Sequence, residues 1–266
     1  SRLHLHILGS GSKGNCALIE GPQGLIMVDD GLSRRETLKR MAELGLSVER
    51  DALVVTHEHS DHIKGLEVWC KHWNGPVFSS RGTLTSKESL AHLPVEEFDP
   101  GDALSIAGVH IQTYSTSHDV VNPVGYRFDA QGDSIGFATD TGELSKHAID
   151  TLKDCRILAL ESNHDVTMLR QGDYPRFLQE RILLKGHLSN DQAADAARAL
   201  ATDRTEQLIA MHISQDNNRP SLTVKSYASS LDATLDNELG STATRVEGLH
   251  KLTIRPAGQY RPMTIQ

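Results

Sequence analysis

Thr56-His57-Glu58-His59-Ser60-Asp61-His62 is the stretch from which the fold of this chain is read. His57, His59, Asp61 and His62 put four potential metal ligands within six residues, with no apolar residue among them. One histidine on a loop is ordinarily structural, but a cluster with no packing role reads as a metal site. The run Ala52-Leu53-Val54-Val55-Thr56 ahead of it reads as a buried strand. Behind it, Leu66, Trp69, Cys70 and Trp73 fall at i, i+3, i+4 and i+7, one face of a helix expected over 63–73. The motif is therefore a strand-to-helix loop. His57 and His59 alternate and can point the same way, while Asp61 and His62 turn at the helix start to face a second point. Asp61 also suits the positive end of that helix.

The apolar runs on either side repeat the theme. Leu25-Ile26-Met27-Val28 leads into Asp29, Ile135 to Thr139 into Asp140, Ile157 to Leu160 into Glu161, and Leu208 to Met211 into His212. His118 follows the strand that runs through Tyr114. One strand ending in Asp or His means little. Six on one chain point to strand ends gathered at one edge of a core, where open α/β sheets place their sites. His57, His59, His118, Asp61, His62, His212 and a bridging Asp are enough ligands for two dications, the usual device for activating hydroxide and clamping a phosphoryl group.

Around these strands the reading is one α/β domain over 1–266, without repeats or a clear linker. Leu3, Leu5 and Ile7 alternate with His4 and His6 in a half-buried strand, where both histidines are expected to face solvent or pair in the sheet rather than bind metal. The Gly9-Ser10-Gly11-Ser12-Lys13-Gly14-Asn15 loop has the form of a ligand-approaching or anion-binding turn, equally of a plain connection. A hairpin turns at Gly21-Pro22, and a basic helix is expected from Arg34 to Leu44, with Arg34, Arg35, Lys39 and Arg40 on a solvated face within reach of a phosphate. Helices are further expected after Gly82, twice within 168–185, after Asn190, and over 222–235. Ser189 and Gln192 have capping-box spacing, which sets His187 just before a helix start.

The chain has 266 residues, 38% hydrophobic and 23% charged, ordinary for a soluble protein. No apolar run reaches the length of a membrane span, no signal-peptide pattern is present, and Cys16, Cys70 and Cys155 are isolated, so the cytoplasm is the expected compartment and no membrane the expected partner. A net charge of −8 excludes coating of nucleic acid by bulk charge. It leaves room for a nucleic-acid enzyme whose dications neutralise phosphates locally.

Asp29-x-Gly31, His57-Glu58-His59-Ser60-Asp61-His62, His118, Asp140 and His212 resemble, in order, the five motifs of the metallo-β-lactamase superfamily. The resemblance covers nearly the whole chain and implies an αββα sandwich. It implies His57, His59 and His118 as ligands of one metal, Asp61, His62 and His212 of a second, Asp140 as the bridge, and Asp29 as the residue that orients the cluster by hydrogen bonding a ligand histidine. The neighbouring Asp30 stands where the family has a small uncharged residue. The longer runs Gly9 to Asn15, Thr56 to Leu66, Glu161-Ser-Asn-His-Asp165, Gly186-His-Leu-Ser-Asn190 and His212 to Asn218 are similar to the YycJ/WalJ group, single-domain nucleases related to ribonuclease Z.

That resemblance implies a dinuclear phosphodiesterase acting as a 5′-to-3′ DNA exonuclease, with zinc or manganese as the ions and iron or nickel also suited to the ligands. A metal-bridging hydroxide would attack phosphorus in line, with Asp61 in the catalytic set. His187, oriented by Glu161, would protonate the leaving alkoxide. The chain lacks a β-CASP-type insertion and an obvious ribonuclease Z-type arm. Substrate contacts are therefore expected from Ser10, Ser12, Asn15, Lys64 and His164, with Arg34, Arg35, Arg170, Arg176, Arg181 and Lys185 as further cations. Two rivals stand beside this reading. One is a small-molecule hydrolase of the same fold, a cyclic phosphodiesterase or a glyoxalase-like thioesterase. The other is a metal-stabilised nucleic-acid-binding protein without turnover.

Overall fold

Residues 2–47 and 49–266 are described by a computed structural model. Its strands are β1 (His4–Gly9), β2 (Cys16–Gly21), β3 (Gly24–Val28), β4 (Ala52–Val54), β5 (Val77–Ser80), β6 (Val95–Phe98), β7 (Ala103–Ile106), β8 (Val109–Ser115), β9 (Val124–Ala130), β10 (Asp133–Ala138), β11 (Ile157–Glu161), β12 (Gln207–Met211), β13 (Thr234–Leu235), β14 (Ala243–Glu247), β15 (His250–Pro256) and β16 (Met263–Ile265). Its helices are α1 (Arg34–Glu43), α2 (Ser60–Ile63), α3 (Leu66–Lys71), α4 (Lys146–Leu152), α5 (Val166–Gln171), α6 (Arg176–Arg181), α7 (Asn190–Leu200) and α8 (Pro220–Leu231), with a π-turn over Ile182–Gly186. Two compact units account for these elements. The first comprises 2–115, 120–133 and 258–266, the second 116–119 and 134–257. Among the described residues no helix is long and apolar enough to cross a membrane.

In the first unit one mixed sheet runs β16-β1-β2-β3-β4-β5-β6. The β1-β2-β3 meander is antiparallel, and β3 to β6 are parallel. Leu53 and Val55 pack with Met27, Met41, Leu66 and Trp69, while Ala52 and Val54, on the opposite face of β4, are also fully buried. That two-sided burial is why β4 reads as a continuous apolar run rather than an alternating one. The β7-β8-β9 meander belongs to the same unit. From β9 the Tyr126 hydroxyl donates to Val55 O at 2.5 Å and Val124 N to Thr56 O at 3.1 Å, which fixes the backbone just ahead of His57.

The helix expected over 63–73 is split into α2 and α3. Gly65 N donates to Asp30 O, and a Cβ on Gly65 would lie 2.0 Å from Leu32 O, so the chain turns there against the Asp29 loop. The helix expected after Gly82 is a run of turns. The Ser80 hydroxyl pairs with that of Thr83, and Ser86 Oγ donates to Thr83 O, local bonds that compete with helix formation. The C-terminal part of the helix expected over 222–235 is strand β13 instead, because α8 ends at Asp232 in a left-handed conformation, φ 55°. Strand β16, three residues long, escaped the sequence reading.

Three backbone stretches are sewn together beside Gly31. Asn15 N donates to Asp61 O, Gly31 N donates to Asn15 O, and a Cβ on Gly31 would stand 1.8 Å from Asp61 O. No side chain fits without moving Asp61. Gly31→Ala is expected to destabilise the protein by about 3 kcal/mol, measured as a lower denaturation midpoint at unchanged m-value.

In the second unit β10, β11, β12 and β15 are parallel neighbours, followed by antiparallel β14 and β13. The register sets Ala138 beside Leu160 and Glu161 beside Met211, so three carboxyl-terminal strand ends stand side by side. Helices α7 and α8 pack on one another, and the Ser230 hydroxyl of α8 donates to Ala194 O of α7 at 3.0 Å. The capping box at Ser189 and Gln192 forms in full and starts α7 just after His187.

Candidate metal centre

Parallel β3 and β4 bring Val28 opposite Val54, so the chain leaves the sheet at two adjacent points. Asp29 takes a left-handed φ of 62° there. Its Oδ1 accepts Thr56 N at 2.7 Å, and its Oδ2 accepts the Thr56 hydroxyl at 2.7 Å and lies 2.6 Å from His62 Nδ1. Asp29, Thr56, His57 and His62 are all buried. With Nδ1–H of His62 given to a carboxylate, Nε2 carries the lone pair, the arrangement a metal ligand needs. The rings of His57 and His62 stand 4.1 Å apart and those of His57 and His59 5.0 Å. The Asn15 amide donates to Gly11 O at 2.8 Å and Asp61 Oδ2 at 3.1 Å, and lies 3.3 Å from His62 Nε2. Between Asp29 and Asp30, Asp29 is thus the one that makes the orienting contacts. Neither side-chain oxygen of Asp30 has a hydrogen-bond partner among the described residues, and burial pushes its carboxyl up to about 7 against the pull of Arg50.

Asp29→Asn removes the charge that holds His62 and replaces one acceptor oxygen with an amide. The expected result is a 10- to 100-fold weaker affinity for the activating metal and a loss of about 2 kcal/mol in stability, read by metal titration and by denaturation.

In the second unit the three parallel strand ends deliver Asp140, Glu161 and His212. Asp140 and His212 repeat the geometry of Asp29, each with a left-handed φ, 51° and 53°. Glu161 is fully buried. Its Oε1 lies 2.5 Å from His187 Nδ1 and 3.5 Å from His212 Nδ1, while its Oε2 accepts Thr141 N at 2.9 Å. Asp140 Oδ1 lies 3.2 Å from His212 Nε2 and 3.7 Å from His187 Nδ1. The ligating atoms of Asp140, Glu161, His187 and His212 all lie within 4.8 Å of one another. The His118 ring stands 5.3 Å from that of His187, and its loop is latched by Ser117 N to Thr141 Oγ1 and Gly142 N to Ser117 O. Imidazoles set by carboxylates, beside further carboxylates, form a donor set that fits a borderline divalent cation.

Each unit therefore assembles its own share of the residues named from the sequence. His57, His59, Asp61, His62 and Asp29 converge in the first, and Asp140, Glu161, His187, His212 and His118 in the second. Ser12 and Lys64 are exposed, with Lys64 Nζ on Lys13 O, while Ser10 and Asn15 are buried. His164 is fully buried, and its imidazole is pushed down to about 4, first by desolvation and then by His187. Arg40 departs from the solvated face expected for it. It is buried, with Nη1 donating to Leu8 O and Gln259 O, because those carbonyls need a donor more than solvent needs the charge. Arg181 pairs with Asp119 at 2.7 Å, Arg176 is exposed beside Glu180, and the side chain of Lys185 lies outside the described residues. Thr56 and Asn163 were missed from the sequence. The Asn163 amide donates to His212 O at 3.0 Å and lies 3.3 Å from His212 Nδ1. Both residues stand inside runs singled out from the sequence, Thr56 in the histidine motif and Asn163 in Glu161 to Asp165, but neither was given a role.

Residues 26–213 match a family described as Beta-lactamase superfamily domain. The chain is 35% identical over 237 residues to the exodeoxyribonuclease YycJ of Bacillus anthracis, covering 86% of this chain and 89% of that protein. It is 34% identical over 220 residues to the exodeoxyribonuclease WalJ of Streptococcus pneumoniae serotype 2 (strain D39 / NCTC 7466), covering 80% and 82%. Among solved structures, the metallo-beta-lactamase fold protein YhfI from Bacillus subtilis matches with a TM-score of 0.70 at 14% identity, over 100% of both chains.

Proposed function

The chain belongs to the beta-lactamase superfamily and has its α/β metallo-beta-lactamase fold, and from that premise we propose that it is a metal-dependent phosphodiesterase that degrades DNA from the 5′ end. The observation that carries the choice of reaction is the His187–Glu161 pair at 2.5 Å, set beside Asp140 and His212. Expelling an alkoxide from a phosphodiester is helped by protonation, whereas a thiolate leaves without it. The pair is therefore chemistry a phosphodiesterase needs and a thioesterase does not. Glu161 accepts the Nδ1 proton of His187 and stabilises the ring in its doubly protonated form, whose Nε2–H passes to the leaving oxygen and leaves the ring neutral. The names of the relatives, both exodeoxyribonucleases, support DNA as the substrate.

We assign His57, His59 and His118 to one divalent ion, Asp61, His62 and His212 to another, and Asp140 to both, the ions being zinc or manganese. When bound, such ions would supply Lewis acidity to the attacking water and neutralise phosphoryl charge. Asp29 and Glu161 hold their histidine partners in the required tautomers. Cys16, Cys70 and Cys155 form no disulfide, which suits a reducing compartment, and we assign the cytoplasm.

The test uses metal-loaded protein on DNA labelled at the 5′ or the 3′ end, single- and double-stranded. Immediate release of the 5′ label as short products, with the 3′-labelled strand shortening progressively, is the expected result. Release starting at the 3′ end would reverse the polarity, and no cleavage of any strand would remove the DNA assignment.

A further inference from the structure

Strands β1 and β2 set His4 directly opposite Glu20, and His6 follows His4 on the same face of β1. The Glu20 carboxylate lies between the two rings, with Oε2 3.0 Å from His4 Nδ1 and Oε1 3.8 Å from His6 Nε2. The ligating atoms of all three residues lie within 4.8 Å of one another. The His6 side chain is 3% exposed, and its Nε2 has no hydrogen-bond partner among the described residues. Its Nδ1 stands 2.8 Å from the Thr264 hydroxyl of β16, opposite it in the sheet. His4 and Glu20 are partly exposed and open the cluster to solvent.

A buried imidazole nitrogen without a partner is costly. The Thr264 hydroxyl can accept from Nδ1 or donate to it, and in the tautomer that gives it Nδ1–H the Nε2 lone pair faces a carboxylate oxygen 3.8 Å away. A cation resolves this. We propose that His4, His6 and Glu20 bind a divalent transition-metal ion of the zinc class, at a site other than the centre described above. Ligands held at the usual zinc distances in a tetrahedron stand about 3.3 Å apart, and the separations of 3.0 and 3.8 Å bracket that value. Burial lowers the proton affinity of His6, against the pull of Glu20, and favours the neutral ring that ligates. Two histidines and one carboxylate leave a fourth position for water. Thr264 ties β16 to the site through His6, as an outer partner that fixes the ring.

The test compares zinc content, by mass spectrometry after chelation and reloading, of the wild-type protein, a Glu20→Gln variant and a His4→Ala/Glu20→Gln double variant. The comparison is a difference, so zinc held elsewhere cancels. Both replaced side chains are partly exposed, and circular dichroism verifies the fold. The wild type is expected to hold one more equivalent than the double variant, with equal DNA cleavage. Thr264→Val is expected to weaken the extra equivalent by 10- to 100-fold. Equal zinc content in wild type and both variants would overturn the proposal and leave an exposed His4–Glu20 ion pair.

Discussion

His187→Ala is expected to slow cleavage of DNA by about 10²- to 10⁴-fold, while an aryl phosphodiester with a good leaving group loses far less. The difference follows from the role given to the ring. A nitrophenolate needs no proton to depart, but a sugar alkoxide does. Metal content should stay at the wild-type level, since His187 is the proton donor of the proposed mechanism and not one of the residues assigned to the ions. A parallel loss on both substrates, with a metal ion missing, would make His187 a ligand instead. Glu161→Gln should behave differently. Its carboxylate also accepts Thr141 N and lies 3.5 Å from His212 Nδ1, so both substrates should suffer. Kinetics on the two substrates, beside metal analysis, separate these outcomes.

The second large effect belongs to Asp140. Its side chain lies 3.2 Å from His212 Nε2 and 3.7 Å from His187 Nδ1, at the end of a strand whose neighbours supply Glu161 and His212. Asp140→Ala is expected to lower turnover of every phosphodiester by about 10³-fold or more, the several kcal/mol that phosphoryl charge stabilisation is worth. Unlike His187→Ala, it should spare no substrate, and metal uptake should fall with it. Retention of wild-type turnover on the aryl substrate would remove Asp140 from the centre.

How far the sequence foretold this arrangement depends on the kind of interaction. Strand ends were legible because apolar runs leading into Asp, Glu or His recur along the chain, and the parallel register then makes the ends neighbours. The left-handed backbone at Asp29, Asp140 and His212 was not legible. Asp and His tolerate that region better than most residues, but nothing in composition announces it, and its cost of about 1–2 kcal/mol each is borne by surrounding packing. The four cations near Arg34 looked like one solvated face. Arg40 alone turned inward, toward carbonyls 32 and 219 residues away in the chain. The split at Gly65 has the same origin. Helical periodicity persists through 63–73, and tertiary contacts at Gly65, its N–H bond to Asp30 O and the approach of Leu32 O, break it.

The measurement that bears most directly on the central claim is a manganese titration of chelated protein, followed by release of labelled nucleotide from DNA. Cleavage that is absent at first, rises to a plateau at two equivalents per active centre in the His4→Ala/Glu20→Gln background, and never appears in an Asp61→Ala variant is the expected result. Full cleavage in the presence of chelator, or undiminished cleavage by the Asp61→Ala variant, would contradict a metal-dependent nuclease built on these residues.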